Sequence, residues 1–403
     1  MVEKAGCWPT KWLDAYVAMI PKAAGGTRPR DQQPITVLDI FYRIWSKGIV
    51  LAWAPVLQKE VLGPATMGFS FGVSTLHVAQ LLSDLIALRH HQGRPLWLAS
   101  FDTEKCFDSL PWRGLFRVLQ QASVDPRVAT TFSTFYRDLR RRFRYGQVDG
   151  MVWRAANGLA QRCPASPDLL NLLSEAFHCW ASASGLDVPA AGGRVASVSF
   201  ADDLALAAAS RGEVLLLIEA YLEFCALLGT KVTKVQLWAN SGPGQTLTAG
   251  GLDLVTSDTF RIVGVLLGSN ECLVTRLHVA PRVAKAMATS RRLQHLEVPA
   301  SVGALLWRTT VLPQAVYACE VRNIKASHLR TPDQGDLCSA GRSSLGNKRP
   351  LELNNWCSPS MLSGLPLGDS SLQDPMLEEL ERQLVWLHQL ANFPGLVDAA
   401  WMD

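Results

Sequence analysis

The chain has 403 residues, of which 48% are hydrophobic and 18% charged, with a formal net charge of +4. So apolar a composition excludes general disorder and, at roughly 150 residues per domain, suits two or three domains. The charge is too mild to announce a nucleic-acid partner by itself.

The N-terminus, Met1 to Cys7, lacks the apolar core of a signal peptide. The most apolar stretch, Val214 to Leu228, is broken by Glu219 and Glu223, so no transmembrane span is expected. Nine cysteines at irregular spacing without a CxxC pair support neither a disulfide framework nor a zinc site. These features read as an intracellular protein with no membrane partner.

In chain order, residues 21–34 are loop-like, with Pro21, Gly25, Gly26, Pro29 and Pro34 as breakers. Leu38, Phe41, Tyr42, Trp45, Ile49, Leu51 and Leu57 then recur at helical spacing across 37–62, interrupted by Pro55. Thr75 to His91 is a second helix, capped by Ser74 or Thr75 and stopped at Gly93. Leu96 to Phe101 is a buried strand that ends at Asp102. Ser109 or Pro111 opens a helix through Gln121, and Asp125-Pro126 opens the next. Pro167 to Ser184 is helical, and Val195 to Leu206 is a hairpin with Asp202 and Asp203 at its tip. Glu213 to Leu228 is an amphipathic helix, Phe260 to Leu267 a short strand, and 276–320 two or three helices. Beyond about residue 325 the pattern dissolves into Ser, Gly, Pro and Asn, with one late helix from Asp374 to Leu390. Strands and helices without strict βαβ alternation indicate an α+β fold. Arg137, Arg140, Arg141, Arg142 and Arg144 form one basic cluster, and Arg276, Arg282, Lys285, Arg291, Arg292 and Arg308 another; on charge alone both read as solvated helix faces.

The carboxylates carry the chemistry. Asp102 ends a strand, and Asp202-Asp203 sit at a hairpin tip between Val198, Phe200, Leu204 and Leu206. An acidic pair in apolar surroundings is costly unless a cation is bound. Carboxylates at strand ends are hard-oxygen ligands suited to Mg²⁺. Two such ions about 4 Å apart serve phosphoryl transfer. Any one of these residues alone is an ordinary turn former.

In context they resemble a family. Ser100 to Leu110 (Ser-Phe-Asp-Thr-Glu-Lys-Cys-Phe-Asp-Ser-Leu) resembles the first catalytic motif of reverse transcriptases of LINE-type, non-LTR retrotransposons. Phe200-Ala201-Asp202-Asp203 resembles their second, with Phe for the usual Tyr. Gly158 to Leu172 is similar to their Gly-x-x-Gln-Gly-x-Pro-Leu-Ser-Pro segment and following helix. Pro34-Ile35-Thr36, Tyr42-Arg43-Ile44 and Gly68 to Thr75 resemble the fingers motifs; Gly229 to Trp238 and Phe260 to Val265 resemble the last palm motifs. The motifs are collinear across roughly residues 18–320.

The resemblance implies a right-hand polymerase core. Helical fingers occupy 1–95, a palm with a small antiparallel sheet 96–270, a helical insertion about 122–156, a helical thumb 271–325 and a loosely ordered extension 326–403. It implies that Asp102, Asp202, Asp203 and the Phe101 carbonyl hold Mg²⁺ (or Mn²⁺), and that Lys234 acts as a general acid toward pyrophosphate unless it is a surface lysine. Phe107 stands at the steric gate that excludes a ribose 2′-hydroxyl, or is an ordinary core ring. Gln161 meets the nucleotide or template backbone. Arg43 and Lys47 either contact the triphosphate or, as we favour, line a solvated helix face.

Departures from the pattern matter as much. Arg162 stands where the family has Gly, and Ala165 where it has Leu. Gln33, Met67 and Val73 replace frequent Arg, Gln and Arg, and Lys231-Val232-Thr233 lacks the Asn expected before Lys234. A long cation at 162 would occlude the nucleotide pocket, pair with Asp102, Asp202 or Asp203, or swing out harmlessly to solvent or template phosphate. No endonuclease, RNase H or zinc-knuckle segment is recognisable, as in a piece of a longer polyprotein or a truncated copy. The leading expectation is an RNA-directed DNA polymerase acting on an RNA template, a DNA primer and deoxynucleoside triphosphates. The alternative is a catalytically inactive, degenerate reverse-transcriptase-like protein that only binds nucleic acid.

Overall fold

The computed structural model describes residues 2–321, apart from 22–31, 105, 123, 146, 191–192, 296–297 and 319–320. The expected extension at 326–403 and its helix Asp374–Leu390 lie outside the described residues. The chain divides into two units, Met1–Ser269 and Asn270–Asp403.

The first unit opens with the short helix α1 (Val2–Ala5), strands β1 (Asp14–Pro21) and β2 (Gln32–Val37), and helix α2 (Ile40–Val56). Asp39 caps α2 by accepting the Phe41 N–H at 2.8 Å. Pro55 does not end the helix, because a wide turn, Leu57–Val61, continues it. Helix α3 (Thr75–His91) starts with a capping box between Ser74 and His77. Strand β3 (Trp97–Thr103) and helices α4 (Cys106–Ser109), α5 (Trp112–Gln121) and α6 (Pro126–Asp138) follow. Tyr42, Ser46 and Val50 turn one side of α2 into a core shared with α5 and α6. Tyr42 and Phe135 stack there with centroids 3.5 Å apart.

After α6 the expected helical insertion continues as strand: β4 (Arg140–Tyr145) and β5 (Val148–Asp149). They join β1 and β2 in a four-stranded sheet of order β2-β1-β4-β5, so the fingers segment is not all helical. Most of the first basic cluster therefore lies on a strand rather than a helix. Asp14 accepts Arg140 at 2.7 Å, Asp149 accepts Arg144 at 2.7 Å, and Arg144 lies 3.5 Å over the Tyr16 ring. Arg141 points to the other side and is buried.

Helix α7 (Ser166–Ala183), strands β6 (Val188–Ala190), β7 (Gly193–Val195), β8 (Ser197–Phe200) and β9 (Asp203–Ala208), and helix α8 (Arg211–Leu227) come next. Strands β10 (Val232–Ala239), β11 (Thr246–Ala249), β12 (Leu252–Ser257), β13 (Phe260–Ile262) and β14 (Val265–Leu267) complete the unit. Its main sheet has the order β11-β12-β10-β3-β9-β8, antiparallel except for the β10–β12 pair. One face packs Trp97, Ala99, Phe101, Leu204 and Leu206 against Phe177 of α7 and Leu217 and Tyr221 of α8. The fold is α+β.

The second unit, within its described residues, contains α9 (Glu271–Gln294), α10 (Ala300–Leu306), a wide turn Trp307–Val311 and α11 (Leu312–Val316). His278 of α9 donates to the Tyr317 carbonyl at 3.3 Å, and Arg282 lies 4.6 Å from the Tyr317 ring centroid.

Candidate active site

Along β3, residues Trp97 to Phe101 are buried and Asp102 is exposed. Alternation sends Phe101 to the helix-covered face and Asp102 to the opposite one. Phe101 pairs with Leu204, so the next rung of the ladder sets Asp102 beside Asp203. On the other side Lys234 of β10 pairs directly with Asp102. Directly opposed residues share a face with Cβ atoms about 5 Å apart. Three strands thus present Asp203, Asp102 and the exposed Lys234 as one row.

Asp202 precedes that row in the two-residue turn between paired Phe200 and Asp203. Ala201 has φ 57°, a left-handed conformation that L-residues adopt at a cost. Gly68 lies so close that a Cβ on it would stand 2.4 Å from the Ala201 nitrogen.

The electrostatics register this convergence. Burial, then the charges of Asp202 and Asp102, push the Asp203 carboxyl up to about 6. The Val263 N–H opposes the shift by donating to it. Asp203 remains exposed at the sheet rim, so the crowding is one-sided. Val263 and Gly264, at φ 44° and 75°, form the turn of the β13–β14 hairpin, and Ser100 donates to the Arg261 carbonyl at 3.3 Å.

Among the described residues, no group of three or more His, Cys, Asp or Glu side chains, these three aspartates included, is drawn together closely enough to hold a metal ion. The trio is an open set of hard oxygens whose mutual repulsion a divalent cation would relieve, which fits Mg²⁺ or Mn²⁺. Phe101 is the register partner of Leu204 and of Val235; in antiparallel ladders its N–H and C=O turn to one neighbour, and the carbonyl oxygen keeps a second lone pair.

Phe107 lies on α4, partly buried against the first core. Its carbonyl accepts the Leu159 N–H at 2.6 Å. Gly158 has φ 92°, and a Cβ there would stand 2.4 Å from the Asp108 carbonyl oxygen. Gln161 Nε2 donates to Asp108 Oδ2 at 3.2 Å. Phe107 and Gln161 are therefore brought together. Arg162 has φ 69°, the conformation that favours the family's Gly. Its side chain is exposed, and among the described residues no ion pair joins it to Asp102, Asp202 or Asp203. Arg43 stands on the exposed side of α2, and among the described residues no contact links it to the carboxylates. Burial pushes the Asp168 carboxyl up, opposed by the Trp53 indole N–H that it accepts at 3.1 Å and, less, by the charge of exposed Lys47.

Sequence reasoning missed the roles of Asp108 and Val263. Asp108 sat inside a quoted motif without a task, and Val263-Gly264 was a turn signal inside a segment read as one strand.

Residues 20–267 match the family described as reverse transcriptase (RNA-dependent DNA polymerase). The Pol polyprotein of the type-1 retrotransposable element R2 of Popillia japonica is 28% identical over 207 residues, covering 49% of this chain and 28% of the relative. The corresponding protein of Nasonia vitripennis is 25% identical over 216 residues, covering 52% and 20%. The chain thus spans less than a third of the length of these relatives. A structure of telomerase from Candida tropicalis in complex with a fragment of telomeric RNA superposes with TM-score 0.46 at 12% identity, covering 63% of this chain and 43% of that one. Because the family match takes in more than half of the chain and follows the motif order around these carboxylates, the chain belongs to the reverse transcriptase (RNA-dependent DNA polymerase) family.

Proposed function

We propose that this chain acts as an RNA-directed DNA polymerase, extending the 3′-end of a DNA primer with deoxynucleoside triphosphates on an RNA template, inside the cell. The observation that carries the reading is the row of Asp203, Asp102 and Lys234 across three strands, with Asp202 in the adjoining turn. Asp102, Asp202 and Asp203 hold divalent cations, Mg²⁺ or Mn²⁺. Held by these carboxylates, divalent cations would supply Lewis-acid activation of the attacking hydroxyl and charge compensation for the leaving pyrophosphate. The Phe101 carbonyl, whose oxygen keeps a second lone pair within a ladder, is the backbone member of that ligand set. Lys234 carries three donors at the open end of the row and protonates the departing pyrophosphate. Asp108 holds the Gln161 amide against α4, so Gln161 lines the nucleotide pocket beside Phe107, whose ring excludes a 2′-hydroxyl. Arg43, solvent-facing on α2, is the candidate contact for the triphosphate.

Primer extension on an RNA template with the purified chain tests this. Extension that needs Mg²⁺ or Mn²⁺ and is lost in Asp202→Ala is expected. Absence of extension at every metal concentration, or survival in Asp202→Ala, overturns it.

The left-handed Arg162 favours a second reading, a binding protein without turnover. That reading requires nucleic-acid binding that weakens steeply with salt, and no product.

A further inference from the structure

Helix α7 is largely apolar where it is covered, yet Asn171, Glu175 and His178 are buried on it at i, i+4 and i+7 spacing. Buried polar groups are costly, and apolar residues of similar shape can serve stability equally well. What these three hold is therefore informative. Asn171 Nδ2 donates to the Gly68 carbonyl at 2.5 Å, and Gly68 abuts the Ala201 nitrogen. Glu175 accepts from the Thr66 hydroxyl at 2.6 Å and from the Cys179 thiol at 3.3 Å. Thr66 bridges to Ser199 of β8, flanked by Met67 N–H to Ser199 O at 2.9 Å and Ser199 N–H to Ala65 O at 2.8 Å. The two ring nitrogens of His178 meet the Ser197 and Ser199 hydroxyls at 2.7 and 2.8 Å. One helical stripe thus fixes both structures that flank the Ala201-Asp202 turn, namely the 65–68 loop and strand β8. The turn needs such fixing, because Ala201 has φ 57°.

We propose that Asn171, Glu175 and His178 are positioning residues that set where Asp202 stands, and thereby how tightly the carboxylate trio binds a divalent cation. This rests on the reading of that trio as the metal site. None of the three is a ligand; they act through the loop and the strand, as outer partners do around metal centres.

Titration of the full chain with Mn²⁺ followed by electron paramagnetic resonance, with no nucleotide or nucleic acid present, tests it. Asp202→Asn identifies the binding that belongs to the trio. In Asn171→Leu that binding is expected to weaken about tenfold or more, while His178→Gln, which can still donate and accept, stays within about twofold of the parent. A purely structural role would lower thermal stability and leave Mn²⁺ affinity unchanged far below the melting temperature. Gly68→Ala removes no buried polar group but presses on the Ala201 nitrogen, and is expected to weaken Mn²⁺ equally; it decides the matter if Asn171→Leu does not fold. Parent-like Mn²⁺ affinity in the folded variants, or no Asp202-dependent binding in the parent, overturns the proposal. A parent that binds Mn²⁺ through Asp202 and responds to these substitutions, yet extends no primer, would sink the polymerase reading alone.

Discussion

Arg162 holds a backbone conformation that glycine adopts freely and an L-residue adopts at a cost of about 1 kcal/mol. Arg162→Gly should therefore raise the thermal midpoint by about 2–4 °C, measurable by calorimetry. Extension should also become about tenfold faster, which takes only ~1.4 kcal/mol off the barrier. With no ion pair to the carboxylates among the described residues, that gain should be the same at low and high Mg²⁺, because occlusion rather than competition is relieved. Equal rates for parent and variant would show that the exposed guanidinium stays clear of the pocket. His178 makes a pH prediction. Burial pushes its imidazole down to about 4, with Glu175 opposing the shift. The folded chain binds fewer protons there than the unfolded one, so this stability is present above the ordinary histidine range near 6.5 and is lost as pH falls toward 4. Urea midpoints should drop between about pH 7.5 and pH 5 by on the order of 2 kcal/mol more in the parent than in His178→Gln. Parallel profiles would refute the assignment.

Helix starts are where local sequence and observed structure agree best. Ser210 caps α8 by accepting the Glu213 N–H at 3.2 Å, and the Glu213 carboxylate accepts the N–H of Ala209, the residue before the cap, at 2.9 Å. Ser210→Ala should cost about 1 kcal/mol in chemical denaturation, because α8 packs Val214, Leu217, Ile218 and Tyr221 into the core and loses its first-turn acceptor. Strand β4 is the opposite case. Arg140 to Tyr145 has little apolar alternation, so its charges read as a helix face. Its partners, Asp14 and Tyr16 on β1, are distant in sequence, and only the parallel pairing of β1 with β4 brings them together. Helix α2 with its continuing turn, Ile40–Val61, is long and apolar enough by length and composition to cross a membrane. Tyr42, Ser46, Val50 and Leu57 face the fingers core, while Ile40, Phe41, Ile44, Leu51 and Val56 are exposed, so 22% of that apolar window is buried.

Across the whole molecule the net charge of +4 understates the pairing already spent on the arginine strand. Arg140, Arg142 and Arg144 face Asp14 and Asp149, so part of the strand's positive charge is offset from within. Removing both acids in the double variant Asp14→Asn, Asp149→Asn should free cationic groups for phosphates. RNA binding should then tighten, and the slope of its logarithm against log salt should steepen by about two. An unchanged slope would place this sheet away from the bound nucleic acid. The sequence alone determined the order of helices, the strand ending at Asp102, the hairpin carrying Asp202 and Asp203, and hence the family, because each is a local pattern of spacing and turn chemistry. Only the tertiary structure decided that Lys234 stands beside Asp102, that Asp108 holds Gln161, and that a polar stripe of α7 flanks the Ala201-Asp202 turn. Those relations are set by strand register and by packing between residues far apart in the chain, where local periodicity carries no information.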